Sequence, residues 1–173
     1  MRRVLAISGS PREKGNTTVL LDEALKAIKG RCETEVVALA DHGAPGRRDA
    51  GAFDIITAKM RAADAILLGT PSHFGMPAAR LKALLDATWD DARRGAFEGK
   101  VGAALAVESE SGGELACMGL AHFFAVHRMA FVGYVVGRAA REGEILMDLK
   151  ATRDARALAS RVADYLEAIP PRR

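Results

Sequence analysis

Short, wholly apolar runs recur along this chain, and each gives way to a turn-rich segment and then to a helical pattern. Val4-Leu5-Ala6-Ile7 stops at Ser8-Gly9-Ser10-Pro11, and Ala65-Ile66-Leu67-Leu68 stops at Gly69-Thr70-Pro71. Four apolar residues in a row, bounded by Gly and Pro, suit a strand buried on both faces rather than one with a wet side. Thr34–Leu39, which contains Val36 and Val37, Val101–Val107 and Ala130–Val136 read as three more strands.

The intervening segments carry helical spacing. Asn16-Thr17-Thr18 opens a helix with Asn16 as the expected cap; Leu21, Leu25 and Ile28 follow at spacings of 4 and 3, and Gly30 ends it. Asp41–Gly51 holds Gly43, Pro45, Gly46 and Gly51 and reads as loop, followed by a helix from about Asp54 to Ala63. Met76–Ala92 reads as one helix with Leu81, Leu84, Leu85 and Thr88 on one face, before Gly95 and Gly99 break the chain. Glu114–His127 is the fourth helix. About Thr152–Ala168 is the fifth, with Leu158, Val162 and Leu166 at four-residue spacing before Pro170-Pro171.

The order is β-α-β-α-β-α-β-α-β-α, without a linker or an internal repeat. It predicts right-handed crossovers and a five-stranded parallel sheet covered on both faces, a three-layer α/β sandwich in a single domain spanning residues 1–173. Five such strands favour the order 2-1-3-4-5, with ligands at the carboxyl ends of the strands and the switch point between strands 1 and 3. That rule singles out three loops: Ser8–Thr18, Thr70–Met76 and Glu108–Gly113.

Composition narrows the partners. Aromatics make up 5% of 173 residues, so Ala, Leu, Val and Ile must build the core, as suits helices on a parallel sheet. The net charge is +3, and Arg2–Arg3, Arg47–Arg48, Arg93–Arg94 and Arg172–Arg173 are only pairs. A nucleic-acid surface would cluster basic groups on one stripe with stacking aromatics between them, so no nucleic-acid partner is expected. The apolar run after Met1-Arg2-Arg3 lasts four residues. A signal peptide needs roughly 7–15 and a membrane span about 20, so a reduced cytoplasmic setting without membrane attachment is expected. Cys32 and Cys117 are too few for a disulfide framework and show no metal-ligand spacing, and Cys117 reads as a buried small hydrophobe. His122 and His127, five apart on a helix, lie on different faces; no metal site is expected.

Ser8–Thr18 runs from a strand into a helix, where unpaired N–H groups point toward an anion. Gly9 and Gly15 permit a tight turn, Ser10, Asn16, Thr17 and Thr18 offer hydrogen-bond donors, and Arg12 adds a charge-assisted contact. These are the groups that a phosphate monoester needs. Five residues separate Gly9 from Gly15 and Asn16 follows, which excludes a Walker A loop; Gly9-Ser10-Pro11 lacks the second glycine of a dinucleotide fingerprint.

Gly9-Ser10-Pro11-Arg12-x-x-Gly15-Asn16-Thr17 resembles the FMN-phosphate loop of the NADPH-dependent FMN reductase family, which includes iron–sulfur flavoproteins and multimeric-flavodoxin quinone oxidoreductases. Gly69-Thr70-Pro71-Ser72-His73-Phe74-Gly75-Met76, followed by Leu81-Lys82-x-x-Leu85-Asp86, is similar to that family's second flavin loop and helix. Gly112-Gly113-Glu114 with His122-Phe123-Phe124 and His127-Arg128-Met129 resembles its third segment, so the match covers about residues 3–135. The resemblance implies a flavodoxin-like fold and bound FMN.

It also implies that Pro71, Ser72, His73, Phe74, Gly75 and Met76 contact the isoalloxazine, although Met76, at a helix start, suits the core equally. Pro71 and Gly75 would let the backbone approach the ring edge, and Glu108, Ser109, Gly112 and Gly113 would form the third contact. Glu108 and Glu110 depart from the small neutral residues of related chains. Glu110 is expected in solvent, while Glu108 either borders flavin N1, lowering its potential, or points outward. His73 is the one candidate catalytic residue, able to bond the flavin or protonate a quinone.

Leu39–Phe53 has no cysteine where iron–sulfur flavoproteins place a compact cluster, so no Fe–S cluster is expected. The implied activity is FMN-dependent oxidoreduction, with NAD(P)H as transient reductant and a quinone, free flavin or similar small molecule as acceptor. The alternative is a flavodoxin-type electron carrier serving a partner protein, against which the +3 charge counts, since such carriers are generally acidic. Related flavoproteins form homodimers or homotetramers, and Trp89, Phe97, Phe123 and Phe124 are candidate contacts or core residues.

Overall fold

The structure, a computed structural model, describes residues 1–41 and 50–170. Five parallel strands form the sheet: β1 (Arg2–Ser8), β2 (Cys32–Ala38), β3 (Ala65–His73), β5 (Val101–Glu108) and β6 (Ala130–Arg138). Their spatial order is β2-β1-β3-β5-β6, the 2-1-3-4-5 arrangement expected from the alternation. A sixth strand, β4 (Met76–Pro77), pairs antiparallel with the end of β3 and was not foreseen. Register places Val4 beside Ala65 and Ala65 beside Val101, so the apolar runs of β1, β3 and β5 lie side by side.

Alternation along each strand divides the core in two. Val4, Ala6, Ala65, Leu67, Ala103 and Leu105 face one layer, where helices α1 (Asn16–Lys26) and α6 (Leu149–Ala168) pack. Leu5, Ile7, Ile66, Leu68, Ala104 and Ala106 face the other. That second layer is covered by α2 (Ala50–Ala62), α3 (Ala79–Ala87) and α5 (Gly113–Val126). Each fully buried Leu or Ile contributes about 1.5–3 kcal/mol by leaving water, which sets the strand alternation against every slipped register. Cys32 and Cys117 fall in opposite layers. Burial pushes the Cys117 thiol up to about 12, as expected of an inert core residue.

Several boundaries differ from the sequence reading. Helix α2 begins at Ala50 rather than near Asp54 and so takes the last two residues of the expected Asp41–Gly51 loop, of which residues 42–49 lie outside the described residues. Gly15, in extended conformation, caps α1; Asn16 is its first helical residue and spends its side chain elsewhere. Helix α6 starts three residues early because Asp148 caps it, accepting from the Ala151 N–H at 2.9 Å. The long helix expected over Met76–Ala92 is instead strand β4, α3 and a separate short helix α4 (Trp89–Arg93). Pro77 has no N–H to offer a helix, and the break at Thr88 follows from its hydroxyl donating to the Leu85 carbonyl at 2.7 Å.

Candidate functional site

The carboxyl ends of β1, β3, β5 and β6 meet at one edge of the sheet. The first loop closes on itself there: the Ser10 hydroxyl accepts the Arg12 N–H at 3.1 Å, and Gly15 N–H donates to the Arg12 carbonyl at 3.1 Å. A side chain at Gly15 would put its Cβ 2.2 Å from Ser10 Oγ and displace that hydroxyl from the Arg12 N–H, so the curl of the loop favours glycine there. The backbone N–H groups of Asn16, Thr17 and Thr18 have no acceptor among the described residues, and neither does the exposed Arg12 guanidinium. Main-chain amides and the Arg12 guanidinium are therefore among the free donors. The expected side-chain donors are partly committed. Thr18 pairs with Ser8 at 2.8 Å, and Asn16 Nδ2 donates to the Arg141 carbonyl at 2.7 Å while its Oδ1 is buried without a partner among the described residues. Ser10 only accepts within the loop, so its proton remains free. This donor set fits a phosphate monoester.

The second loop is a hairpin. β3 runs on to His73, so Pro71, Ser72 and His73 are strand residues, not loop residues; Ser72 faces Pro77 and His73 faces Met76. The two connecting residues both have positive φ, 54° at Phe74 and 75° at Gly75, the geometry of a type I′ turn. Glycine carries that conformation freely, but phenylalanine pays about 1–2 kcal/mol for it. The Phe74 ring is fully exposed, so no packing offsets the strain. Met76 is also exposed, which removes the core alternative for it. His73 is exposed and has no side-chain partner among the described residues.

The third loop touches the second. Gly112 has φ 91°, and a Cβ there would lie 2.9 Å from backbone atoms of Gly75 and from Ser72 Oγ. Ser72 Oγ reaches the Ser111 carbonyl at 3.5 Å. Glu108, whose direction the sequence left open, turns onto its own loop: Oε2 accepts the Gly113 N–H at the start of α5 at 2.8 Å, and Oε1 accepts from Arg138 at 3.2 Å. Ser109 and Glu110 are exposed, and the Glu110 carbonyl takes a further bond from Arg138 at 3.0 Å. An open cleft of about 730 Å³ lies between the hairpin tip, this loop and the end of β6, with Phe74, Leu115 and Val136 as apolar walls. The Ser8–Thr18 loop does not line it. That loop joins the others through the Gly9 N–H donating to the Gly69 carbonyl at 2.8 Å and through Asn16 on Arg141.

Sequence reasoning missed Arg138, Arg141, Glu144 and Asp148. Asp148 Oδ2 accepts the Arg138 N–H at 2.9 Å, clamping the end of β6 to the start of α6. The available signal was their position just after the last strand, where the carboxyl-end rule applies equally. The candidate oligomer contacts divide. Phe97 and Phe124 are fully buried core, whereas Trp89 is exposed and, with half-buried Phe123, Met76 and Val126, lines an apolar groove of about 550 Å³ between α3, α4 and α5. His127 borders that groove, buried between Phe97 and Phe123 with ring centroids 4.7 and 4.3 Å away. Thr88 already donates to Leu85, so it must accept from His127 Nε2 at 3.2 Å, and Nδ1 is left as a buried acceptor without a partner among the described residues. Burial holds the imidazole pKa below its usual value, against a smaller opposing pull from Asp91.

No group of three His, Cys, Asp or Glu side chains that could hold a metal occurs among the described residues, and none of their helices is long and apolar enough to cross a membrane. An iron–sulfur flavoprotein of Methanocaldococcus jannaschii is 40% identical over 146 residues, covering 76% of each chain. The solved structure of a Trp repressor binding protein from Bacillus subtilis is 25% identical, covers 90% of this chain and 99% of its own, and superimposes with a TM-score of 0.75. A flavodoxin from Agrobacterium tumefaciens, 18% identical with a TM-score of 0.72 over 96% of this chain and 98% of its own, shares the flavodoxin-like fold. The profile of the NADPH-dependent FMN reductases matches residues 2–141, from the start of β1 to the connector after β6, and the chain belongs to that family.

Proposed function

We propose that this chain binds FMN across its three loops and passes electrons from NAD(P)H to a quinone, free flavin or similar small acceptor. The observation that carries the reading is the set of unpaired donors at the start of α1, the N–H groups of Asn16, Thr17 and Thr18 with Arg12, beside two loops that touch through Gly75 and Gly112. FMN, when bound, would supply the hydride and electron chemistry. The chain's own residues bind and orient. Arg12 and the amides hold the phosphate. Ser72, Gly75, Gly112 and Gly113 let main chain approach the ring edge, and Phe74 and Met76 offer apolar cover. Pro71, Ser109 and Glu108 shape the loops around it, and His73 stands at the hairpin as the group able to hold a proton near an acceptor.

The chain's two cysteines lie on opposite layers and cannot jointly hold an Fe–S cluster, so the proposed cofactor is flavin alone. A homodimer or homotetramer that buries the Trp89 groove fits the exposure of its lining. The test is a visible spectrum of protein incubated with FMN, desalted and treated anaerobically with NADPH or NADH. Retained flavin bands that bleach support the reading. Retained bands that neither nucleotide bleaches favour the electron carrier fed by a protein partner. Failure to bind FMN in a titration overturns it.

A further inference from the structure

The connector between β6 and α6 lies against the start of α1 through the bond between Asn16 and Arg141. Its fold depends on one carboxylate: Glu144 Oε2 accepts the N–H groups of both Arg141 and Ala140 at 2.7 Å. Those two bonds, Arg141's first, hold the Glu144 carboxyl below the usual carboxylate range. The turn they make aims the Arg141 carbonyl at the first residue of α1, where it accepts from Asn16 Nδ2 at 2.7 Å across 125 residues of sequence. Ile145, fully buried, anchors the same turn in the core, and Asp148 fixes its far end. Arg141 is thus held by its main chain against Asn16, the residue that carries the first of the amides without an acceptor among the described residues, while its exposed guanidinium forms no ion pair or hydrogen bond among them. A phosphate monoester carries close to two charges at neutral pH, and the first loop offers Arg12 and the exposed Lys14 from its own side only.

We propose that Arg141 is a second phosphate-binding cation, closing the FMN-phosphate site from the β6–α6 connector, and that Glu144 is the residue that positions it. The proposal rests on the reading that the Ser8–Thr18 loop holds that phosphate. A contact of this kind acts on the phosphate alone, so it discriminates FMN from riboflavin and leaves the ring and ribityl contacts untouched.

The test compares dissociation constants for FMN and riboflavin, by flavin fluorescence or calorimetry, on flavin-free full-length protein at fixed ionic strength. Arg141→Ala should weaken FMN by about tenfold, the lower end for a charge-assisted contact at an exposed site, and leave riboflavin within about twofold. Arg141→Lys should recover part of the loss by keeping the charge without the fork. Glu144→Ala should reproduce part of the FMN-selective loss in the parent chain and none of it in the Arg141→Ala background. Equal weakening of both ligands by Arg141→Ala, or no weakening of either, overturns the proposal. A Glu144 effect that persists without Arg141 overturns the positioning role. A parent chain that binds FMN no better than riboflavin fails at the phosphate-loop reading itself, which separates that failure from this one.

Discussion

Replacing Glu108 with alanine should destabilise the flavin-free protein by about 2–3 kcal/mol, and the figure follows from three contacts. The carboxylate accepts the Gly113 N–H at 2.8 Å, and its side chain is only 12% exposed. A hydrogen bond to a charged acceptor contributes about 1.5–3 kcal/mol, and alanine leaves that amide without its partner. The Arg138 contact adds little, because the Arg138 side chain is 68% exposed and a solvated pair is worth about 0–1 kcal/mol. The negative charge also faces the N-terminus of α5, an interaction of about 0.3–1 kcal/mol that overlaps the first and is not added to it. For a chain of this length, about 2–4 °C per kcal/mol makes the expected fall in melting temperature about 4–12 °C. Urea unfolding followed by far-UV circular dichroism supplies the free energy directly, with an unchanged slope if the native fold is retained. Glu108→Gln keeps an acceptor for Gly113 and should lose roughly half as much, since neutral hydrogen bonds contribute about 0.5–1.5 kcal/mol. An alanine variant within about 0.5 kcal/mol of the parent, the range of an inconsequential surface change, would refute the assignment of Glu108 to the α5 terminus.

Gly112→Ala must adopt a positive φ and press a methyl group against Gly75, so FMN affinity should fall at least tenfold while helical content persists; titration of the variant checks it. Phe74→Asn should stabilise the flavin-free protein by about 0.5–1 kcal/mol, because asparagine tolerates the left-handed region, yet weaken flavin binding; paired unfolding and binding measurements test both halves. His127 has a pKa below its unfolded value near 6.5, so its contribution to stability is full above that value and is lost as pH falls toward the folded pKa. Melting temperatures from pH 7 down to 5 should therefore drop more steeply for the parent than for His127→Gln, and parallel curves would count against a buried neutral imidazole.

The runs Val4–Ile7, Ala65–Leu68 and Val101–Val107 announced buried parallel strands because every residue in them is apolar, a property that needs no knowledge of neighbours. Alternation with helices then fixed the strand order, since right-handed crossovers leave few arrangements, and the order placed three loops at one edge. The chemistry of the first loop was legible for the same local reason: glycines, hydroxyls and an arginine stand between a strand and its helix within eleven residues.

Long-range pairing decided the rest. Glu108 had two outcomes open in sequence, and Arg138, 30 residues away on the neighbouring strand, together with the α5 terminus selected one. Asn16 is a good cap by type, but it stands one residue inside the helix with its Nδ2 on the Arg141 carbonyl, and Gly15 occupies the cap position. Phe97 and Phe124 are chemically the same as Phe123, and only the rotation of α5 and the path of the preceding loop against the sheet put two in the core and one beside the groove. Local pattern determines which segments become strands, helices and turns, because hydrogen bonding and burial periodicity act over a few residues. Which polar group satisfies which partner is a competition among groups brought together only when the layers close, and the tertiary structure settles it.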